Sequence, residues 1–245
     1  VATDYDKIAD DYKQTKKHGF KQYGEEYTVL TLAGPLGGKD VIDLACGDGH
    51  YTRMLKERGA EHIVGVDVSG KMIENARAQE AEKPLGIDYL IQDARYLESI
   101  GRFDLAVAAF FFPYISTEEG LENASEAIVR NLKSDGRLIA LTINPDIPQV
   151  CPSDMEKYGF AYKTEGPLHD STIVNVTLFI DGGSLDFINY YWSRETYERV
   201  LKTAGFQEVI WHPIRISDEG VKAYGPEHWE SVLRTPLLTA LEARM

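Results

Sequence analysis

The stretch VIDLACGDGHYT, residues 41–52, carries an apolar run past Asp43 and then through two glycines, Gly47 and Gly49, with one residue between them. Lacking a β-carbon, each glycine lets a loop take unusual dihedrals and press its amides against a ligand. About twenty residues further on, IVGVD ends at Asp67, at the spacing where a carboxylate accepts both hydroxyls of a ribose. IDYLIQDA then leaves Asp93 and Ala94 placed to meet the amino edge of an adenine. A glycine loop and two acids on three successive strand ends form the pattern of a nucleoside site.

Two phosphate-binding readings of the loop fail. A dinucleotide fingerprint, G-x-G-x-x-G, needs glycine where Ala45 and His50 stand, and a P-loop needs a lysine followed by a hydroxyl residue, which DGHYT does not contain. With no cation in the loop, the residues fit a nucleoside that carries no phosphates.

The elements that hold these residues alternate along the chain. Strand-like runs at 41–45, 63–67, 87–92, 103–110 and 136–143 are separated by helical stretches: YTRMLKERG closing on Gly59, SGKMIENARAQEA, and TEEGLENASEAIVRNLKS. That order predicts stacked βαβ units in an open α/β sheet, which binds ligands outside the carboxyl ends of its strands. Beyond Pro145 the pattern changes. TIVNVTLFI, DGG and SLDFINYYW predict an antiparallel hairpin, SRETYERVLKTAG a helix capped by Ser193 and stopped at Gly205, and FQEVIWH a final strand.

Composition narrows the partners. In 245 residues, 39 acids against 26 bases give a formal charge of -13, so the mean field repels nucleic acid and anionic membranes. The two cysteines, Cys46 and Cys151, form no disulfide framework and have no metal-ligand spacing, and no metal site is expected. VATDYDKIAD reads as polar and acidic rather than as a signal peptide, and no apolar stretch is long enough to span a bilayer. A soluble cytoplasmic protein with a small-molecule partner, and neither nucleic acid nor membrane, is the expectation.

At these residues the chain resembles the class I S-adenosylmethionine-dependent methyltransferases, whose first motif reads D-x-G-x-G-x-G; Asp43, Ala45, Gly47 and Gly49 stand at its places, alanine replacing the first glycine. The resemblance implies S-adenosyl-L-methionine as cofactor, S-adenosyl-L-homocysteine as product, and a Rossmann-like seven-stranded, mostly parallel sheet whose last strand is antiparallel. It implies Asp67 on the ribose, Val68 and Met72 packing the adenine, and Asp93 with Ala94 beside the base. It also favours a lid over residues 1–35, in which Tyr5, Tyr12 and Lys16 approach the methionine part; from pattern alone, Tyr5, Ile8, Ala9 and Tyr12 are an apolar helical stripe. A single domain is then expected, with a cofactor-binding core over 36–145, a hairpin insertion over 146–192 and a C-terminal helix and last strand over 193–245. More narrowly, YDKIADDYKQTK, LACGDG, KYGF, DGGS and NYYWS resemble bacterial small-molecule methyltransferases of the toxoflavin-biosynthesis type. That resemblance implies N-methylation of a nitrogen heterocycle, while neighbouring members methylate oxygen or carbon.

Methyl transfer discharges a sulfonium cation, so a poorly solvated site lined by apolar and aromatic walls favours it. FDLAVAAFFFPY puts Ala109 and Phe110 on the expected cofactor side and Phe111 and Tyr114 on the acceptor side; Tyr191, near the hairpin's end, is a further candidate for the acceptor. His18, His50, His169 and His212 read as surface residues, proximity alone can supply much of the catalysis, and no catalytic base is assigned. Alternatives on the same sheet are an aminopropyltransferase, which needs an acidic polyamine pocket, and a non-catalytic S-adenosylmethionine-binding protein. A nicotinamide dehydrogenase is weakened by the failed fingerprint.

Overall fold

The computed structural model describes residues 19–180 and 182–245; Tyr5, Tyr12, Lys16, His18 and the stripe of Tyr5, Ile8, Ala9 and Tyr12 lie outside the described residues. A π-helical turn, Lys21–Glu26, leads into α1 (Tyr27–Ala33). The five expected runs then become β1 (Asp40–Leu44), β2 (His62–Asp67), β3 (Asp88–Ile91), β4 (Phe103–Ala109) and β5 (Leu132–Ile143). Between them run α2 (His50–Glu57), α3 (Gly70–Glu82) and α4 (Glu118–Asn131). Hydroxyl residues start two of these helices: Ser69 Oγ accepts the Met72 amide of α3 and Thr117 Oγ1 the Gly120 amide of α4.

After β5 the chain builds a second sheet from β6 (Phe160–Thr164), β7 (Ile173–Ile180) and β8 (Gly183–Tyr190), all antiparallel in the order β6-β7-β8. The expected hairpin is β7–β8; β6 joins it as a strand not foreseen. Then follow α5 (Arg194–Ala204), capped by Ser193 and ended at Gly205, β9 (Glu208–Pro213), α6 (Asp218–Tyr224), α7 (Pro226–Arg234) and β10 (Leu238–Arg244).

The main sheet has seven strands in the order β3-β2-β1-β4-β5-β10-β9, with β10 antiparallel to both neighbours. FQEVIWH is therefore the edge strand β9 and not the final one. The final strand, LTALEAR, is rich in good helix formers, and only its place between β5 and β9 makes it extended.

Because successive side chains on a strand point to opposite faces, the sheet has a core on each side. Val41, Leu105, Val107, Ile139 and Leu141 pack with Val29, Leu55 and Ile73 from α1, α2 and α3. Ile42, Leu44, Ala106, Leu138 and Ala140 pack with Leu121 and Ile128 from α4 and Tyr197 and Leu201 from α5. The small sheet joins the first core through Phe160, Tyr162, Val174 and Val176. Among the described residues no helix is long and apolar enough to cross a membrane.

Candidate functional site

The strand order reverses between β1 and β4, and a crevice opens at the carboxyl ends of these strands, as open α/β sheets dictate. Three left-handed residues shape the loop after β1: Ala45 at φ 54°, Gly47 at φ 56° and Gly49 at φ 82°. A β-carbon on Gly47 would meet open space, whereas one on Gly49 would stand 2.3 Å from Tyr89 Oη. Gly47 thus keeps the crevice side bare, and Gly49 lets the loop sit down on a buried tyrosine. At the end of β4, Phe110 is also left-handed, at φ 62°, with its amide donating to Leu141 O at 2.8 Å. Non-glycine residues held in that region mark strain, and two of the three among the described residues line this crevice.

A cavity of about 220 Å³ fills the crevice, lined by Ala45, Gly47, Asp67, Val68, Met72, Asp93, Ala94, Ala109 and Phe110, and beyond them by Arg95, Phe111, Tyr114 and Ile115. The Asp67 carboxylate accepts the Gly47 amide through Oδ2 and the Ser69 amide through Oδ1, each at 2.8 Å, which pins the glycine loop to the end of β2. Val68 is 67 % exposed at one edge of the cavity and Met72 is buried beneath it. Burial pushes the Asp93 carboxyl up, but the Arg95 guanidinium and amide bonds outweigh burial and hold it below the ordinary carboxylate range. Arg95 is thereby engaged with an acid.

A second chamber, of about 80 Å³, adjoins the first and shares Phe110 and Tyr114 with it. The small sheet supplies one wall, apolar at Phe160, Val176, Leu178 and Phe187 and polar at Asn189. The strand register pairs Val176 with Phe187 and Phe160 with Leu178, so these residues share one face. Ile143, Leu237 and Leu238 come from the main sheet, and Lys21 and Glu25 from the π-helical turn. Burial raises the Glu25 carboxyl to about 7, opposed by Lys21 and assisted by Glu26.

The structure thus brings nine of the named cofactor residues around one cavity and places others elsewhere. Asp43 and Gly49 do not line it. Asp43 lies behind the loop, buried, accepting the Thr52 hydroxyl at 2.6 Å. Phe111, expected beside the acceptor, is buried against Phe112 and lines the first cavity, because the short 3₁₀ turn after Phe111 sends its ring inward. Tyr191 reaches neither space: its hydroxyl donates to Pro145 O at 2.8 Å in the core. Tyr114 borders both. His50 pairs with Glu26 at 2.7 Å, His212 with Glu242 at 3.1 Å, and the His169 ring with Asp170 O at 2.9 Å. None of these three lines either cavity. Among the described residues no cluster of histidine, cysteine and acids suits a metal ion. Sequence reasoning passed over Glu25 and Lys21; the acid pair in KQYGEEYTVL, directly before the apolar run of α1, was the available signal.

Residues 41–136, which run from β1 into β5, match the family model described as a methyltransferase domain. The chain is 31% identical over 120 residues to an uncharacterized protein of Haemophilus influenzae, covering 47% of this chain and 46% of that one. It is 26% identical over 171 residues to N-demethylindolmycin N-methyltransferase of Streptomyces griseus, covering 69% and 70%. An S-adenosylmethionine-dependent methyltransferase from Mesorhizobium loti shares the fold, with a TM-score of 0.64 at 21% identity over 94% of this chain and 100% of that one. The domain match over residues 41–136 and the shared fold support an S-adenosylmethionine-dependent methyltransferase, whose cofactor is S-adenosyl-L-methionine. The cavity's chemistry fits that cofactor: a bare glycine edge, a carboxylate at the end of β2 and, among the described residues, a single lining cation that is already paired with Asp93.

Proposed function

We propose that the protein transfers the methyl group of S-adenosyl-L-methionine to a small planar acceptor bound in the second chamber, with N-methylation of a nitrogen heterocycle in secondary metabolism as the favoured reaction. The carrying observation is that two cavities of different character meet at Phe110 and Tyr114. When bound, the cofactor supplies an activated methyl on a sulfonium sulfur. Asp67, Gly47, Val68, Met72, Asp93 and Ala94 would hold its nucleoside, and Phe110 would divide it from the acceptor. The chamber's aromatic and aliphatic walls suit the faces of a flat ring and keep bulk water from the reacting atoms. A polyamine chain fits less well, since Lys21 stands beside Glu25, the single carboxylate among the described lining residues.

The closer resemblance to toxoflavin-type enzymes and the N-methylating relative from Streptomyces griseus support nitrogen as the acceptor atom. Oxygen or carbon remains the alternative, and the net charge of -13 supports a cytoplasmic small-molecule role over a nucleic-acid one. Calorimetry with S-adenosyl-L-homocysteine and with NAD tests the reading first. Binding of the former alone is expected; binding of NAD alone would overturn it. Methyl transfer is then followed by product release across planar N–H, O–H and carbon acceptors.

A further inference from the structure

Resting on the methyl-transfer reading, we propose that Glu25 is the proton acceptor of the reaction and that the acceptor's nucleophile is therefore protic, an N–H or O–H. Four observations converge on it. Among the described residues Glu25 is the carboxylate lining the chamber, and that lining includes Phe110 and Tyr114, which also border the first cavity. Its neighbour Glu26 is occupied by His50 at 2.7 Å, whereas no hydrogen bond between the Glu25 carboxyl and another described residue is made. The turn that carries it, Lys21–Glu26, is π-helical, a departure from α-helix that recurs at functional sites, and it brings Lys21 and Glu25 onto the same lining. Lastly, the rest of the lining is apolar apart from Lys21, Asn189 and the phenols of Tyr114 and Tyr158, so a proton left on a methylated product would be a second cation beside Lys21 with few groups to solvate it.

The step balances. The acceptor's nitrogen or oxygen bonds to the methyl carbon as the carbon–sulfur bond breaks, with its electron pair staying on sulfur. The N–H or O–H proton passes to the Glu25 carboxylate. A sulfonium and a carboxylate are replaced by a neutral thioether and a neutral acid, so the reacting groups end without charge. Among the described residues the titratable groups near Glu25 are Lys21 and Glu26 on its own turn and, on the chamber lining, the phenols of Tyr114 and Tyr158. The Tyr158 hydroxyl is committed to His228 O. With its carboxyl near 7, Glu25 can take a proton from the acceptor and return it to water at neutral pH.

The test uses the full chain, its Glu25→Gln and Glu25→Asp variants, and four named probes: lumazine, xanthine, 4-hydroxyquinoline and indole. Calorimetry with S-adenosyl-L-homocysteine comes first. Equal binding by wild type and Glu25→Gln is expected, and no binding by either would sink the methyl-transfer reading itself. With that binding in place, at least one probe is methylated, and on it Glu25→Gln lowers kcat by 100-fold or more with KM within about threefold. The wild-type rate rises with pH through about 7. This rise is absent in Glu25→Gln, and Glu25→Asp recovers part of kcat. A readout independent of turnover is ¹³C NMR of carboxyl-labelled glutamate, where one resonance titrating near 7 disappears in Glu25→Gln. Three results overturn the proposal: Glu25→Gln retaining the wild-type kcat and pH profile, no resonance lost in that variant, or cofactor-loaded protein that methylates none of the four probes.

Discussion

The Gly47 amide donates to Asp67 Oδ2 at 2.8 Å, so the acid proposed to hold a ribose also fixes the glycine loop that lies beside it. One side chain at the end of β2 thereby builds both edges of the nucleoside crevice. Asp67→Ala removes the carboxylate from the ribose position and also frees the Gly47 and Ser69 amides. Binding of S-adenosyl-L-homocysteine should weaken by about 2–3 kcal/mol, the size of a charge-assisted hydrogen-bond pair. Calorimetry measures it. An affinity within threefold of wild type would show that the carboxylate does not touch the nucleoside.

Gly49 and Tyr89 are matched to each other. Tyr89 Oη is buried without a hydrogen-bond partner, and it stands 2.3 Å from where a β-carbon on Gly49 would lie. Gly49→Ala places a side chain at φ 82° against that hydroxyl and should cost roughly 1–3 kcal/mol. Tyr89→Phe deletes an unsatisfied buried hydroxyl and should stabilise by about 1 kcal/mol. Urea unfolding of both variants checks the pair; a destabilised Tyr89→Phe would mean that the hydroxyl is bonded after all.

How far the sequence could foretell this site depends on whether a residue acts locally or through the fold. Gly47, Asp67 and Asp93 sit where strands end, so spacing along the chain sufficed to place them on one cavity. Asp43 and Tyr191 were misplaced for a physical reason: both are polar residues near the crevice in sequence whose hydrogen-bond partners, Thr52 and Pro145, draw them into the core. The second chamber has no local signature. Its walls come from the turn before α1, from β6, β7 and β8, and from Leu237 and Leu238, and no periodicity brings such distant segments together. β10 escaped notice because LTALEAR favours helix locally, and its neighbours in the sheet decide otherwise.

Ala45 and Phe110 hold the left-handed conformation without being glycine, at φ 54° and 62°. An L-residue there costs about 1–2 kcal/mol, partly offset by the greater freedom glycine gives the unfolded chain. Ala45→Gly should therefore stabilise the protein by about 0.5–1 kcal/mol. At position 110 both Phe110→Ala and Phe110→Gly remove the ring between the cavities and should impair transfer, yet the glycine variant should be the more stable of the two. That order inverts the usual advantage of alanine over glycine. Denaturant midpoints for the three variants decide it, and alanine at 110 proving more stable than glycine would contradict the strain.

The last expectation concerns pH. Burial, aided by the charge of Asp67 and opposed by the Thr52 hydrogen bond, raises the Asp43 carboxyl from the ordinary 3.8 to about 7. A carboxyl raised on folding is protonated in the native state and ionised in the unfolded chain across that interval. Its contribution to stability is then full below pH 3.8, declines as pH rises, and is lost above about 7. Asp43→Asn keeps an acceptor for the Thr52 hydroxyl and has nothing to ionise. At pH 8 it should exceed wild type in stability by up to about 4 kcal/mol, taking ~1.4 kcal/mol for each pH unit of the interval, and the gain should shrink toward pH 4. Urea unfolding of both proteins between pH 4 and 8 gives this difference directly, with the other titrating groups, Glu25 among them, common to both. Parallel stability curves would mean that Asp43 is ionised in the native protein and that the loop is built over a buried charge.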